Sequence, residues 1–175
     1  MKTTLDIGYL SGKILVFGGA YGNYESLTAL KRIAFKENIP PSQIFCTGDI
    51  LGQNSSSNFC LQLIRKWGIH VIHGKREKEL CKYDNLVHGA LRGSIDHTTV
   101  EYTMSRQLHG HIHPLNMDWL NALPDLMRFN YSGFDGLLMN SKHGIHKLRK
   151  GQSKPSTQST NSIMHEEIQL VIVGQ

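Results

Sequence analysis

The chain has 175 residues, 39% of them hydrophobic, with a formal net charge of +5 and a pI near 9.2. That length suits one domain with a real core, because the buried fraction of surface grows with size. No apolar run is long enough to cross a bilayer, and Met1 to Gly12, which includes Asp6, lacks the charged-then-apolar pattern of a secretory signal. Cys46, Cys60 and Cys81 are an odd number without CxxC spacing. They point to reduced thiols in a cytoplasmic protein and argue against a disulfide framework or a cysteine zinc site. Part of the positive excess lies in Lys142, Lys147, Arg149, Lys150 and Lys154. A solvated loop fits that stretch better than a nucleic-acid surface, since no aromatic residues are interleaved there to stack bases.

Residues 1–12 read as an N-terminal extension to a domain spanning 13–175. Lys13-Ile-Leu-Val-Phe17 is a short apolar run ending at Gly18-Gly19, the pattern of a buried strand entering a tight loop. Asn23 then caps a helix over Tyr24 to Glu37, whose Leu27, Leu30, Ile33 and Ala34 share one face. Pro40-Pro41 stops it. Ile44 to Thr47 is a second strand, breaking at Gly48-Asp49, and the polar Gln53 to Asn58 segment is a loop. Phe59 to Trp67 resumes helical spacing, and Ile69 to His73 is a third strand ending at Gly74. Three strand–loop–helix units imply a parallel sheet covered on both faces. Ligands of such sheets sit outside the carboxyl ends of the strands, here Gly18 to Asn23, Gly48 to Gln53 and Gly74 to Glu77. Lys78 to Leu108 carries no clear pattern. Trp119, Leu120 and Leu123 suggest a short helix before Pro124, and Gly136 to Met139 and Gln169 to Val173 read as strands. The intervening loop, 147–163, is rich in Ser, Thr, Gln and Lys and is expected to be flexible.

The order of Lys13-Ile-Leu-Val, Tyr21-Gly22-Asn23, Ile44-Phe-Cys-Thr-Gly-Asp-Ile-Leu-Gly52 and Val71-Ile-His-Gly74 resembles the calcineurin-like metallophosphoesterases of the small bacterial type. Trp119-Leu-Asn-Ala-Leu-Pro124 followed by Gly136-Leu-Leu-Met resembles that family's approach to its fourth motif. The resemblance covers nearly the whole chain. It implies an α/β fold, a β-sandwich flanked by helices, with the final strands of the family missing. The family holds two metal ions on Asp-x-His, Gly-Asp, Gly-Asn-His-(Asp/Glu), a later histidine and Gly-His-x-His.

The ligands implied by the resemblance are mostly replaced. Gly19 stands for the first aspartate and Tyr21 for its histidine, while Gly48-Asp49 is intact and Asp49 matches the metal-bridging carboxylate. After Gly74, the residues Lys75, Arg76 and Glu77 replace Asn, His and the acid, so only Glu77 keeps its chemical type. Asn140 aligns with the fourth-motif histidine, and the chain reaches Gln175 where Gly-His-x-His should begin. A two-metal hydrolase needs several carboxylate and imidazole ligands around its cations. Asp49 with Asn140 does not supply them, and Lys75 and Arg76 repel cations.

His109-Gly110-His111-Ile112-His113 contains the letters Gly-His-x-His but precedes the Trp119 helix, whereas the family motif follows it. It reads as coincidence, with a zinc or nickel site at His109, His111 and His113 as the remaining option. Gly18 to Gly22 matches neither glycine-rich phosphate fingerprint and reads as a tight turn. His88, His97 and His143 have no partner identified by spacing. The function expected is a non-catalytic binding or scaffold protein with a protein partner or a phosphate-bearing ligand. Gly22, Asn23, Lys75 and Arg76 are the candidate anion-binding residues. The alternatives are a residual phosphoesterase on a rearranged site, using a divalent metal (manganese, iron, zinc or nickel) at Asp49, and a truncated gene product.

Overall fold

The computed structural model describes residues 4–53, 56–88, 100–140 and 170–173. The 147–163 loop, the basic stretch, His97, His143 and Gly174-Gln175 lie outside the described residues. Among the described residues, seven strands form two sheets. The smaller is parallel, in the order β2 (Leu15–Phe17), β3 (Ile44–Cys46), β4 (His70–Val71). The larger runs β1 (Thr4–Leu10), β5 (Leu126–Tyr131), β6 (Phe134–Met139), β7 (Leu170–Val173). In it only the β5–β6 pair is antiparallel.

Side-chain alternation in β3 explains the architecture. Ile44 and Cys46 point into a core shared with the helices α1 (Tyr24–Lys36), α2 (Ser57–Trp67), α3 (Lys75–Val87) and α5 (Pro114–Asn121). Phe45 points the other way, into a core with Leu10, Ile72, Met127, Phe129 and Leu138 from beneath. The small sheet therefore has helices on one face and the second sheet on the other, and β3 is buried throughout. That is why it reads as an unbroken apolar run rather than an alternating one.

The helices start where local chemistry stops the strands. Asn23 accepts the Ser26 amide at 2.9 Å and so caps α1. α2 ends at Gly68, in the left-handed region at φ 73°. The expected strands and the α1 and α2 helices are present within a few residues. Three features depart from expectation. Residues 1–12 are not a mere extension: β1 pairs in parallel with β5, and Leu10 enters the inter-sheet core. Its other residues are largely exposed, so no apolar pattern marked it. β5 was unannounced although Ser132-Gly133, both at positive φ, form the two-residue turn of the β5–β6 hairpin. The unpatterned middle contains α3 and α4 (Val100–His109), and α3 begins at Lys75 itself.

No described helix is long and apolar enough to cross a membrane. Phe45, buried between Phe129 at 5.8 Å and His70 at 5.1 Å (ring centroids), joins the two sheets. Phe45→Ala is expected to destabilise the fold by about 3–5 kcal/mol, measured by urea denaturation. A loss below about 1 kcal/mol would remove this inter-sheet contact as a principal source of stability.

Candidate functional site

The carboxyl ends of β2, β3 and β4 carry three loops that meet backbone to backbone. The first loop continues the ladder with the second: Gly19 N–H donates to Gly48 O at 3.1 Å, Tyr21 N–H to Asp49 O at 3.0 Å and Gly22 N–H to Ile50 O at 2.7 Å. The second and third loops touch at Gly48 and Gly74, where a Cβ on Gly48 would lie 2.1 Å from Gly74 N. Any side chain there would force the loops apart.

Glu77 occupies the centre of this junction. It is fully buried, and its carboxylate accepts four backbone amides: Asp49 at 2.7 Å, Gly74 at 3.0 Å, Ile50 at 2.9 Å and Leu51 at 3.0 Å. Burial pushes its pKa up, while the Leu51 and Asp49 amides oppose that shift. The donor set favours the ionised form, because a protonated carboxyl would turn an O–H toward amide hydrogens. Sequence reading counted Glu77 as a surviving motif acid. The fold instead uses it as the internal cap that binds the β3 loop to the first turn of α3.

Asp49 is 5% exposed and sits in the left-handed region at φ 56°. Its Oδ2 accepts from Asn140 Nδ2 at 2.9 Å and its Oδ1 from the Arg76 amide at 3.4 Å. Asn140 also donates to Thr47 O at 2.7 Å, so it spans the end of β3. The Arg76 guanidinium lies over the Tyr21 ring, 5.3 Å from its centroid. Two of the three residues that the resemblance aligns with motif histidines, Tyr21 and Arg76, thus form a cation–π pair. Lys75, largely exposed, pairs with Glu79 at 3.5 Å one turn along α3.

Asp49, Asn140, Arg76 and Tyr21 are therefore brought together, with Glu77 behind them. Gly22 and Asn23 are near in chain but their amides are spent internally, on Ile50 O and Ala20 O, and the Asn23 side chain caps α1. Those two backbone N–H groups are therefore not directed at an anion, and Lys75 and Arg76 belong to a helical turn rather than a loop. The set does not fit a divalent metal pair: both Asp49 oxygens accept hydrogen bonds, Glu77 is saturated by amides, and the other positions are Gly19, Tyr21, Lys75, Arg76 and Asn140.

Sequence reasoning missed the work of Glu77, whose signal was its place three residues after Gly74 at a helix start. It also missed Ser57, whose hydroxyl accepts the Gly52 amide at 2.8 Å and donates to the Gly52 carbonyl at 3.1 Å. The optional grouping of His109, His111 and His113 does not form, in keeping with the reading of that run as coincidence. His111 Nδ1 bonds the Gln107 carbonyl at 2.8 Å, and His113 Nδ1 accepts the Leu115 amide at 3.2 Å as the α5 cap. Cys46 is buried and its thiol is pushed up to about 12 by desolvation, so it is no nucleophile.

No protein-family model and no curated protein matches the sequence. Solved structures do. A candidate diadenosine tetraphosphatase superposes with a TM-score of 0.53 at 15% identity, over 74% of this chain and 50% of that one. A hypothetical protein from Pyrococcus horikoshii gives 0.53 at 16%, over 75% and 55%. A metallophosphoesterase from Sphaerobacter thermophilus gives 0.45 at 20%, over 73% and 46%. The chain spans about half the length of the solved structures it matches. The architecture is that of the calcineurin-like metallophosphoesterase fold. At such identities the likeness is one of fold, and activity has to be argued from the site.

Two predictions follow from the junction. Glu77→Gln turns an amide NH₂ toward two of the four donors and should destabilise by about 2–5 kcal/mol, read from urea denaturation at pH 7. A loss below about 1 kcal/mol would mean that the freed amides find water. His73 anchors the strand before Gly74, its Nε2 2.7 Å from the Leu120 carbonyl. Burial lowers its pKa, as it does for His70. The folded state then binds fewer protons than the unfolded one, so stability should rise with pH through about 6.5 and fall below it. Denaturation midpoints between pH 5.5 and 7.5 should show this slope, reduced in His73→Gln; an unchanged slope in that variant would exclude His73 as its source.

Proposed function

We propose that this chain is a metallophosphoesterase-fold protein that binds a protein partner and does not perform two-metal hydrolysis. The observation carrying the reading is the engagement of Asp49: both its oxygens accept hydrogen bonds, from Asn140 and from the Arg76 amide. Two-metal hydrolysis clamps phosphate between cations and lowers the pKa of bound water. Here the Arg76–Tyr21 pair and Asn140 stand in the positions aligned with imidazole ligands, and one carboxylate remains beside them. A partner is favoured over a phosphate-bearing ligand because the Gly22 and Asn23 amides are already spent. The same face also exposes Tyr21, Tyr24 and Phe59, with Tyr24 and Phe59 in edge contact at 6.2 Å. Exposed aromatics beside polar loops are the residue types that partners bury. The core shared between the sheets supports reading residues 13–175 as one domain to which β1 is added. Three buried free thiols support a reducing, cytoplasmic setting.

A second reading, a residual metal-dependent phosphoesterase, is favoured by the retention of Asp49 at the end of β3. Manganese-stimulated hydrolysis of bis-p-nitrophenyl phosphate and p-nitrophenyl phosphate separates the two, with Asp49→Asn as control. Background rates equal in parent and variant are expected. Manganese-dependent turnover that disappears in Asp49→Asn would overturn the binding-protein reading.

A further inference from the structure

Away from the Asp49 loops, the helices assemble a second group of polar side chains that no motif announced. Asp84 and His88 lie one turn apart at the end of α3, and His109 is the last residue of α4. We propose that Asp84, His88 and His109 form a site for one zinc-type divalent cation that fastens α4 to α3.

The geometry is close to that of a coordinated ion. His109 Nε2 lies 2.8 Å from Asp84 Oδ1, and His88 Nδ1 lies 3.2 Å from the same oxygen. One donor atom from each residue falls within 4.8 Å of the other two. Ligand atoms each about 2.0–2.1 Å from a tetrahedral zinc are themselves about 3.3 Å apart. A cation entering the group therefore asks for small side-chain movements and leaves both helices in place. Two imidazoles with one carboxylate suit zinc or nickel better than the hard, oxygen-seeking magnesium or calcium.

The surrounding residues hold the ligands in position. Asn121, at the end of α5, donates to Asp84 Oδ2 at 2.9 Å, which steadies the carboxylate and leaves Oδ1 directed at the histidines. Such outer partners commonly tune metal affinity. The His109 ring meets Tyr83 edge-on at 5.3 Å, and Tyr83 in turn meets Tyr102 at 5.2 Å. Asp84 and His109 are mostly buried, with side chains 12% and 24% exposed, whereas the His88 side chain is 69% exposed. The site thus has a fixed inner wall and an open side through which the ion enters and water completes its coordination. His88 also bonds the Asp84 carbonyl at 3.0 Å, and its exposed ring turns away from that carbonyl to ligate. Without the ion, Asp84 Oδ1 is hydrogen-bonded to His109 and stands 3.2 Å from His88 Nδ1, so the three side chains form a triad joining the helices. With it, that triad becomes a cross-link.

Isothermal titration of the full chain with zinc chloride, after removal of bound metal by chelation, tests the site. A single equivalent should bind, with affinity weakened at least tenfold in His88→Ala and about 10-fold or more in Asn121→Ala. His111→Ala and Asp49→Asn should bind as the parent does. His88 is exposed, so its variant keeps the fold, and circular dichroism with an unchanged urea midpoint in chelator checks this. Three outcomes overturn the proposal: no saturable heat at 100-fold molar excess of zinc, binding unaffected by His88→Ala, or binding lost in His111→Ala or Asp49→Asn instead.

Discussion

The candidate site depends on one buried carboxylate accepting four backbone amides. The β3 loop must leave the sheet with its N–H groups pointing inward, and α3 must begin with a free amide at Gly74. Buried amides without acceptors are costly. Glu77 resolves both at once, so the strand-end loop and the helix start are two halves of one hydrogen-bonded unit. The Gly48–Gly74 contact follows from it, because a loop drawn so closely against a helix N-terminus leaves no room for a Cβ.

That junction also decides what the site can do. A carboxylate consumed by the backbone is not available to a cation, however well its position aligns with a motif. Asp49 stands just outside the junction, its own amide bound by Glu77 and its oxygens by Asn140 and the Arg76 amide. The Arg76 guanidinium lies over the Tyr21 ring. The loops meet at the carboxyl ends of the parallel strands while their polar atoms satisfy one another.

Several elements were legible because their physics is local. β3 announced itself as an apolar run ended by Gly48, and α1 by Asn23 followed by apolar residues at helical spacing. β1 and β5 were not legible, for different reasons. β1 sits at a sheet edge with most side chains exposed, so only Leu10 records its burial. β5 did carry a turn signal in Ser132-Gly133, but its half-buried strand alternates apolar residues with Arg128 and Asn130. At the site, the residues at the strand ends, Gly19, Tyr21, Lys75, Arg76 and Asn140, could be read directly, since residue identity needs no structure to detect. The use of Glu77 could not.

The sequence by itself determined which residues stand at the strand ends, because residue identity and order need no folding to be known. It also determined the β2, β3 and β4 segments, whose burial follows from apolar composition. Only the tertiary structure decided which polar groups meet. Glu77 reaches across 26 to 28 residues to the β3 loop, and His109 reaches 25 residues back to Asp84. The histidine run read as coincidence, and the helix ends direct His109, His111 and His113 toward different partners. Side-chain pairing across elements is set by how the elements pack, and packing is a property of the whole chain.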